Sequence, residues 1–314
     1  MQMFLKEDTD TEIIQSPLNY TGGKFKLLPQ ILPLFPKNID IFVDLFCGGA
    51  NVGVNVQSNK TILNDTNYNL KYLFNTFKSL NDDFFSLIYE IIEKYNLSQS
   101  SKYGYEYYGC NSTKGLASFN KDKFLKLRED FNNSSDTGCY HYAMLYVLII
   151  FAFNNQIRFN RHGKFNLPVG KRDFNEKMQI KLKKFINRLK TGKYEFSDYD
   201  FKNFDISRLG NNGFVYADPP YLITCATYNE QGGWQDKNER DLIHFLDKLN
   251  DKKIKFALSN VLRNKNKENK ILLEWIDKNR NKYKVIKLDF NYNNANYQIK
   301  NKNSVTEEVL IINY

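Results

Sequence analysis

Apolar positions along this chain fall into two rhythms that take turns. In residues 39–56 the order "IDIFVDLF" forms a short, nearly continuous apolar run, passes into the glycine turn "CGGANVG", and resumes as a second apolar segment. That order predicts a buried strand, a tight turn and the opening of a helix. A second short strand, "TILND", follows. Over residues 70–95 apolar and aromatic side chains recur at three- to four-residue spacing, which predicts one helix, and the polar "NLSQSSKYGYEYYGCNSTKG" after it reads as a loop. Helices are predicted again over 119–131 and 140–153. The stretch "RFNRHGKFNLPVGKR" has no helical period and predicts a β-hairpin or an extended loop around its "HG". Residues 177–189 form a basic amphipathic pattern. The strand rhythm then returns in "YEFSDYDF" and "GFVYADPPY", with a helix over 239–249, the strand "IKFALSNV", a helix near 270–279, and final strands near 284–289 and 308–313.

Strands alternating with helices imply a mostly parallel, helix-covered sheet, an α/β fold. The helical middle breaks that alternation and reads as an insert. The expected division is residues 1–74, an inserted domain over 75–175, and 176–314, the two outer parts making one sheet. At 314 residues the chain can bury a full core. Its longest apolar run, "AMLYVLIIFAF", has eleven residues, well short of the roughly 20 that span a bilayer, so it predicts a buried helix and no membrane partner.

Charge and cysteine usage narrow the picture only slightly. The net charge of +10, from 45 Lys and Arg against 35 Asp and Glu, with 15% aromatic residues, suits a surface that meets phosphates while rings stack on bases. It equally suits a lysine-rich surface with no such partner. Cys47, Cys110, Cys139 and Cys225 are far apart, as are His141, His162 and His244, which fits reduced thiols in a cytoplasmic protein and no metal site. The acidic "MQMFLKEDTDTEII" does not resemble a secretory leader.

Chemistry enters at two turns. In "VDLFCGGANVG" the glycines allow close approach of a ligand, and the N–H groups beyond them suit an anionic group. Asp65 ends the next strand, where an acid can hold the two hydroxyls of a ribose. Together these suggest a cofactor containing adenosine, either a nicotinamide dinucleotide or S-adenosylmethionine. In "VYADPPYLIT" Asp218 sits at a strand's carboxyl end, Pro219 and Pro220 stiffen the loop and leave carbonyls free to accept, and Tyr221 offers a flat ring. A carboxylate, a carbonyl and a ring so placed can receive a planar group bearing an NH2.

"DPPY", "FCGGA" and the N-terminal "PLNYTGGKFKLLPQI" together resemble the Dam-like group of DNA adenine methyltransferases, from about residue 16 to the C-terminus. The resemblance implies a Rossmann-like S-adenosylmethionine-dependent methyltransferase sheet with an inserted, mainly helical target-recognition domain that carries a β-hairpin. It places Tyr20, Lys24, Asp44, Phe46, Gly48, Asp65 and Asp218 at the cofactor, and Asp218, Pro219, Pro220 and Tyr221 at the reacting base. "NNQIRFNRHGKFNLPVG" is similar to the family's DNA-reading hairpin at Asn154, Arg158, Asn160, Gly163, Phe165, Asn166, Pro168 and Gly170. Two departures stand out. Ala50 fills the last place of the family's F-x-G-x-G turn, which alanine suits with a negative φ, and the Asn-rich "NYNNANYQIKNKNS" replaces a basic loop.

The implied reaction is direct methyl transfer to an adenine amino nitrogen, whose hydrogens Asp218 and the Pro219 carbonyl accept, with the base flipped out of double-stranded DNA. No Pro-Cys dipeptide exists, which excludes the usual carbon-5 cytosine chemistry. Arg158 is expected to contact a base edge. Asn154, Asn160 and His162 would read bases or hold phosphates, and Lys164, Lys171 and Arg172 would neutralise phosphates. Phe153 and Phe159 read as core, and Ser259 and Asn260 as structural support. A restriction endonuclease is the expected functional partner, and the chain is expected to be a monomer or weak dimer. The alternatives are an amino-group methyltransferase acting on RNA or protein glutamine, and a catalytically silent DNA-binding relative.

Overall fold

The computed structural model describes residues 12–224, 233–289 and 306–314. Cys225, nearly all of the acidic N-terminal segment and the Asn-rich stretch lie outside the described residues. Five parallel strands form the heart of one sheet: β1 (Ile39–Asp44), β2 (Ser58–Asn64), β3 (Tyr194–Ser197), β4 (Gly213–Ala217) and β5 (Lys255–Asn264), in the order β3-β2-β1-β4-β5. The short β6 (Lys267–Glu268) folds back on β5, and β7 (Lys284–Leu288) closes the far edge. Between β5 and β7, antiparallel to both, runs β8 (Thr306–Ile312). The expected α/β class is what the chain adopts.

Alternation along the strands feeds two faces. Val43, Val215, Phe256, Val309 and Ile311 point to one side and pack on α8 (Asp236–Asp251) and α9 (Lys270–Lys278) through Leu242, Phe245, Leu246, Leu272 and Trp275. Phe42, Phe214, Tyr216, Leu310 and Ile312 point to the other and meet the short α1 (Leu28–Ile31) and Phe35. Fully burying one such aromatic or aliphatic side chain contributes about 1.5–3 kcal/mol, so the sheet is well determined by its strand sequences.

The helical middle packs around one apolar rod. In α6 (Cys139–Phe151) every side chain from Tyr142 to Phe151 is buried, and α2 (Tyr68–Leu80), α3 (Asp83–Lys94) and α5 (Ala117–Asn133) lie against it. Its cluster continues through α7 (Glu176–Thr191) to Leu63 of β2 and to Cys47, Ala50 and Val54 beside the glycine turn, so it shares one core with the sheet. The single helix predicted over 70–95 is two, α2 and α3, because Asn81 takes φ 51° and turns the chain before Asp82. Asparagine visits that left-handed region far more readily than most residues. A further turn of helix, α4 (Ser100–Tyr103), lies within the segment read as a loop.

The stretch after α6 forms a hairpin with little ladder. Phe159 pairs with Phe165 and Ala152 with Val169, and the Asn160 N–H donates to the Lys164 carbonyl at 2.9 Å. Phe159 packs on the core as expected, whereas Phe153 is 51% exposed, contrary to the reading of it as core. The helix stops at Phe151, and Asn154 with φ 55° turns the chain, leaving Phe153 outside the apolar rod.

Candidate active site

Strand order reverses direction between β1 and β4, and ligands of open α/β sheets bind at the carboxyl ends of such a pair. Asp44 ends β1 there. It is 2% exposed and accepts the Gly53 N–H at 2.9 Å. Burial pushes its carboxyl up to about 8, with the charges of Asp218 and Asp65 adding to the rise and the Gly53 N–H and Lys24 opposing it. The following turn is tied to β2 by the Cys47 N–H on the Asn64 carbonyl, at 2.8 Å. Gly48 has φ 47°, and a Cβ there would stand 2.7 Å from the Tyr20 ring. Its N–H donates to Asp65 Oδ2 at 3.0 Å, while Asp65 Oδ1 accepts from Asn67 N–H at 2.9 Å. Burial raises the Asp65 carboxyl too.

Ala50 does not have the negative φ expected of it: φ is 61°, the conformation for which glycine is usually chosen. The strain of about 1–2 kcal/mol is largely offset by the fully buried methyl, worth about 0.8 kcal/mol, and by the smaller entropy that alanine loses on folding.

The N-terminal "YTGGK" arches over this edge. Gly22, at φ 80°, turns the chain so that the Gly23 N–H reaches the Tyr20 carbonyl, and Lys24 points inward. Lys24 is only 5% exposed. Its Nζ lies 2.8 Å from Asp218 Oδ2, 3.7 Å from Glu308 Oε1 and 3.0 Å from the Gly22 carbonyl, and sits 5.0 Å from the centre of the Tyr221 ring. The Tyr221 hydroxyl donates to Asp218 Oδ1 at 2.8 Å, with Glu308 Oε1 at 3.3 Å. Both carboxylate oxygens of Asp218 are therefore engaged within the protein. Pro219 is buried behind them.

Glu308, Glu239 and the aromatic partners of Phe46, itself expected at the cofactor, were missed in the sequence. Glu308, 1% exposed on β8, is a buried acid beside the catalytic candidates. Phe46 packs with Phe201 and Trp234, ring centres 5.5 and 5.8 Å away, making an aromatic wall beside the glycine turn. Behind it the buried Glu239 accepts from Trp234 Nε1, Asn260 and Asn269 at 2.5, 3.1 and 2.7 Å. Asn260 thus braces α8 against β5, and Ser259 meets the Tyr216 hydroxyl at 2.8 Å.

The DNA-reading candidates lie on the hairpin, whose base touches the N-terminal arch: Asn19 donates to the Asn154 carbonyl at 2.6 Å, and Gln156 approaches Thr21 at 3.5 Å. Arg158 is held by Asn166, Nε to Oδ1 at 2.8 Å. Asn160 Oδ1 closes the turn by accepting from the His162 and Lys164 N–H groups at 2.9 and 3.0 Å, so that oxygen shapes the hairpin tip. His162 and Lys164 are exposed, and Lys164 shares an open groove with Arg128, Glu129 and Asn132. Lys171 is exposed, while Arg172 donates to the Tyr105 hydroxyl and the Ser112 carbonyl at 3.1 and 3.3 Å. Among the described residues no cluster of His, Cys, Asp or Glu could hold a metal, and no helix is long and apolar enough to cross a membrane.

At the switch point of an α/β sheet, then, buried carboxylates lie beside an aromatic wall, with the lysine of the N-terminal arch over them and a hairpin bearing exposed basic residues alongside. The family model described as D12 class N6 adenine-specific DNA methyltransferase matches residues 20–294. The chain belongs to that family, as its motifs led one to expect. It is 42% identical over 308 residues to modification methylase StsI of Streptococcus sanguinis and 40% identical over 308 residues to type II methyltransferase M.FokI of Planomicrobium okeanokoites. In each case the match covers 96% of this chain and 43% of the relative, so the chain spans less than half the length of either. It is also 25% identical over 214 residues to the DNA adenine methylase of Escherichia coli K12, covering 68% of this chain and 66% of that protein.

Proposed function

We propose that this chain transfers a methyl group from S-adenosylmethionine to the exocyclic N6 amino group of an adenine flipped out of double-stranded DNA, in the modification half of a restriction-modification pair. The observation that carries the reading is the meeting of Lys24 with Asp218 and Tyr221, which lie nearly two hundred residues further along the chain, next to Asp44 and Asp65. The residues present fit the cofactor. Asp65 faces the turn where ribose hydroxyls would be held, the wall of Phe46 and Trp234 suits a planar purine, and the carboxylates suit a cation. Tyr20, Lys24, Asp44, Phe46, Gly48, Asp65 and Asp218 would hold it. Bound there, the cofactor supplies an activated methyl on a sulfonium whose sulfur departs with the bonding pair.

The chain's own work is positioning and charge. The Asp218 carboxylate and the Pro219 carbonyl accept the amino hydrogens, which favours a more tetrahedral nitrogen, and the rigid Pro219-Pro220 pair keeps both acceptors aimed. Once the methyl is bonded, that nitrogen sheds one of these hydrogens as a proton that passes to solvent. Tyr221 stacks against the base. Extruding that base costs a few kcal/mol, repaid by these contacts and by those of the 75–175 segment. There Arg158, already oriented by Asn166, suits a bidentate contact to guanine, Asn154, Asn160 and His162 would read bases or hold phosphates, and Lys164, Lys171 and Arg172 would neutralise phosphates. The relatives named as modification methylases support the restriction-modification role. The test is transfer of labelled methyl to DNA, followed by modification-sensitive sequencing. Asp218→Ala should abolish incorporation at adenine, and retained incorporation in that variant would overturn the mechanism.

A further inference from the structure

Glu308 has no part in the chemistry above, yet it is a charged side chain buried on the sheet face of Leu310 and Ile312, where a carboxylate is costly without partners. Its position is fixed from both sides, since β8 pairs it with Val261 of β5 and Leu288 of β7. It reaches Lys24 Nζ at 3.7 Å and the Tyr221 hydroxyl at 3.3 Å, and both of these groups also engage Asp218. A phenol has one proton to donate, so Asp218 Oδ1 and Glu308 Oε1 compete for it. An Asp218 that accepts from a phenol on one oxygen and an ammonium on the other is a weakened acceptor for an amino group. Tyr221 with its hydroxyl turned to Asp218 is also held back from following a base across its ring.

We propose that Glu308 is a positioning residue for methyl transfer: it takes over the Tyr221 hydroxyl, and a larger share of Lys24, as the adenine amino group claims Asp218 Oδ1. The proposal rests on the assignment of Asp218 and Tyr221 given above. No covalent step is involved. The phenol proton stays on Tyr221 and changes only its acceptor, by rotation of the hydroxyl between two oxygens that are both already within reach. Glu308 touches neither DNA nor cofactor in this scheme, so its loss should slow the chemical step and leave both binding constants nearly unchanged.

A double-mutant cycle on single-turnover methyl transfer separates this from a structural role. Glu308→Gln keeps the shape and removes the charge. In the otherwise natural enzyme it should lower the rate by about ten- to a hundredfold, the scale of one charge-assisted hydrogen bond, with the cofactor dissociation constant and the KM for DNA within about twofold. In the Tyr221→Phe background there is no hydroxyl to hand over, and the same substitution should cost less than about threefold relative to Tyr221→Phe alone, the remainder being the share of Lys24. Glu308→Asp, which keeps the charge and withdraws it by one methylene, runs the same cycle independently and should give an intermediate loss. Equal losses in both backgrounds, or none in either, would overturn the proposal. Asp218→Ala serves as the reference arm: activity retained there defeats the assignment of Asp218, whereas an inactive Asp218→Ala with an additive cycle defeats the role of Glu308 alone.

Discussion

Asp44→Asn isolates the electrostatics of the pocket, because amide and carboxyl share a shape and the new amide oxygen can still accept the Gly53 N–H. The Asp44 carboxyl is held up at about 8, against an ordinary value of 3.8. Below about pH 4 it is protonated in folded and unfolded chains alike, and its burial carries no charge penalty. Between about pH 4 and 8 the unfolded chain gives up the proton and the folded chain keeps it, so stability falls as pH rises, by at most about 1.4 kcal/mol per pH unit. Above 8 both forms are ionised and the loss is complete.

From pH 6 to pH 8 this one group should account for about 2 kcal/mol, since the folded carboxyl is mostly protonated across that window. The amide that replaces it in Asp44→Asn does not titrate. Urea unfolding at pH 6 and pH 8 measures the difference: the natural chain should lose about 2 kcal/mol more than Asp44→Asn over that step, a midpoint shift of roughly 0.5–1 M. Asp218→Asn removes a charge that raises Asp44, so its window should move to lower pH. Equal pH dependence in the natural chain and Asp44→Asn would refute the account. Under the proposed function a cation seated beside Asp44 favours ionisation, and calorimetry in buffers of different ionisation enthalpy should show a proton released on cofactor binding at pH 7 that Asp44→Asn does not release.

Two further predictions concern the turn and the hairpin. Gly48→Ala places a Cβ at positive φ and within 2.7 Å of the Tyr20 ring; it should cost about 1–3 kcal/mol in a thermal melt and weaken cofactor binding by about tenfold or more, and natural values for both would remove the turn from the site. Lys164→Ala should reduce the salt dependence of DNA binding by about one unit of log–log slope without changing which sites are methylated, whereas Arg158→Ala should cost about 1–3 kcal/mol and relax site choice. Sequencing of methylated sites in both variants distinguishes them, and an unchanged site preference in Arg158→Ala would refute its base contact.

What was legible in the sequence had causes close together in the chain. The apolar run of β1, the glycines after it and the double proline after β4 constrain their own backbone, and the all-apolar α6 has no surface to expose, so each could be read where it stands. The break at Asn81 was missed because one asparagine in a left-handed conformation hardly disturbs an apolar period that resumes with Phe84 and Ile88. The positive φ of Ala50 was missed for a related reason: a tertiary fit can hold alanine where local preference favours glycine, provided its methyl is buried.

The missed site residues share a different feature, and it left a trace. Glu308 lies two and four residues before Leu310 and Ile312, in phase with the strand positions that point to one apolar face. Glu239 lies three and seven residues before Leu242 and Leu246, in phase with the apolar stripe of α8. Periodicity assigns both acids to the interior, where an uncompensated carboxylate would cost several kcal/mol, so each requires partners supplied by another element. For Glu239 the partners are donors that brace α8 and α9 against β5: Trp234, Asn260 and Asn269. For Glu308 they include Lys24 and Tyr221, the two groups that also engage Asp218. An acid in register with an apolar face therefore marks, from sequence alone, a place where remote segments must converge. The identity of those segments follows only from the strand order, which sets β8 beside β5 and brings the arch of "YTGGK" across the end of β4.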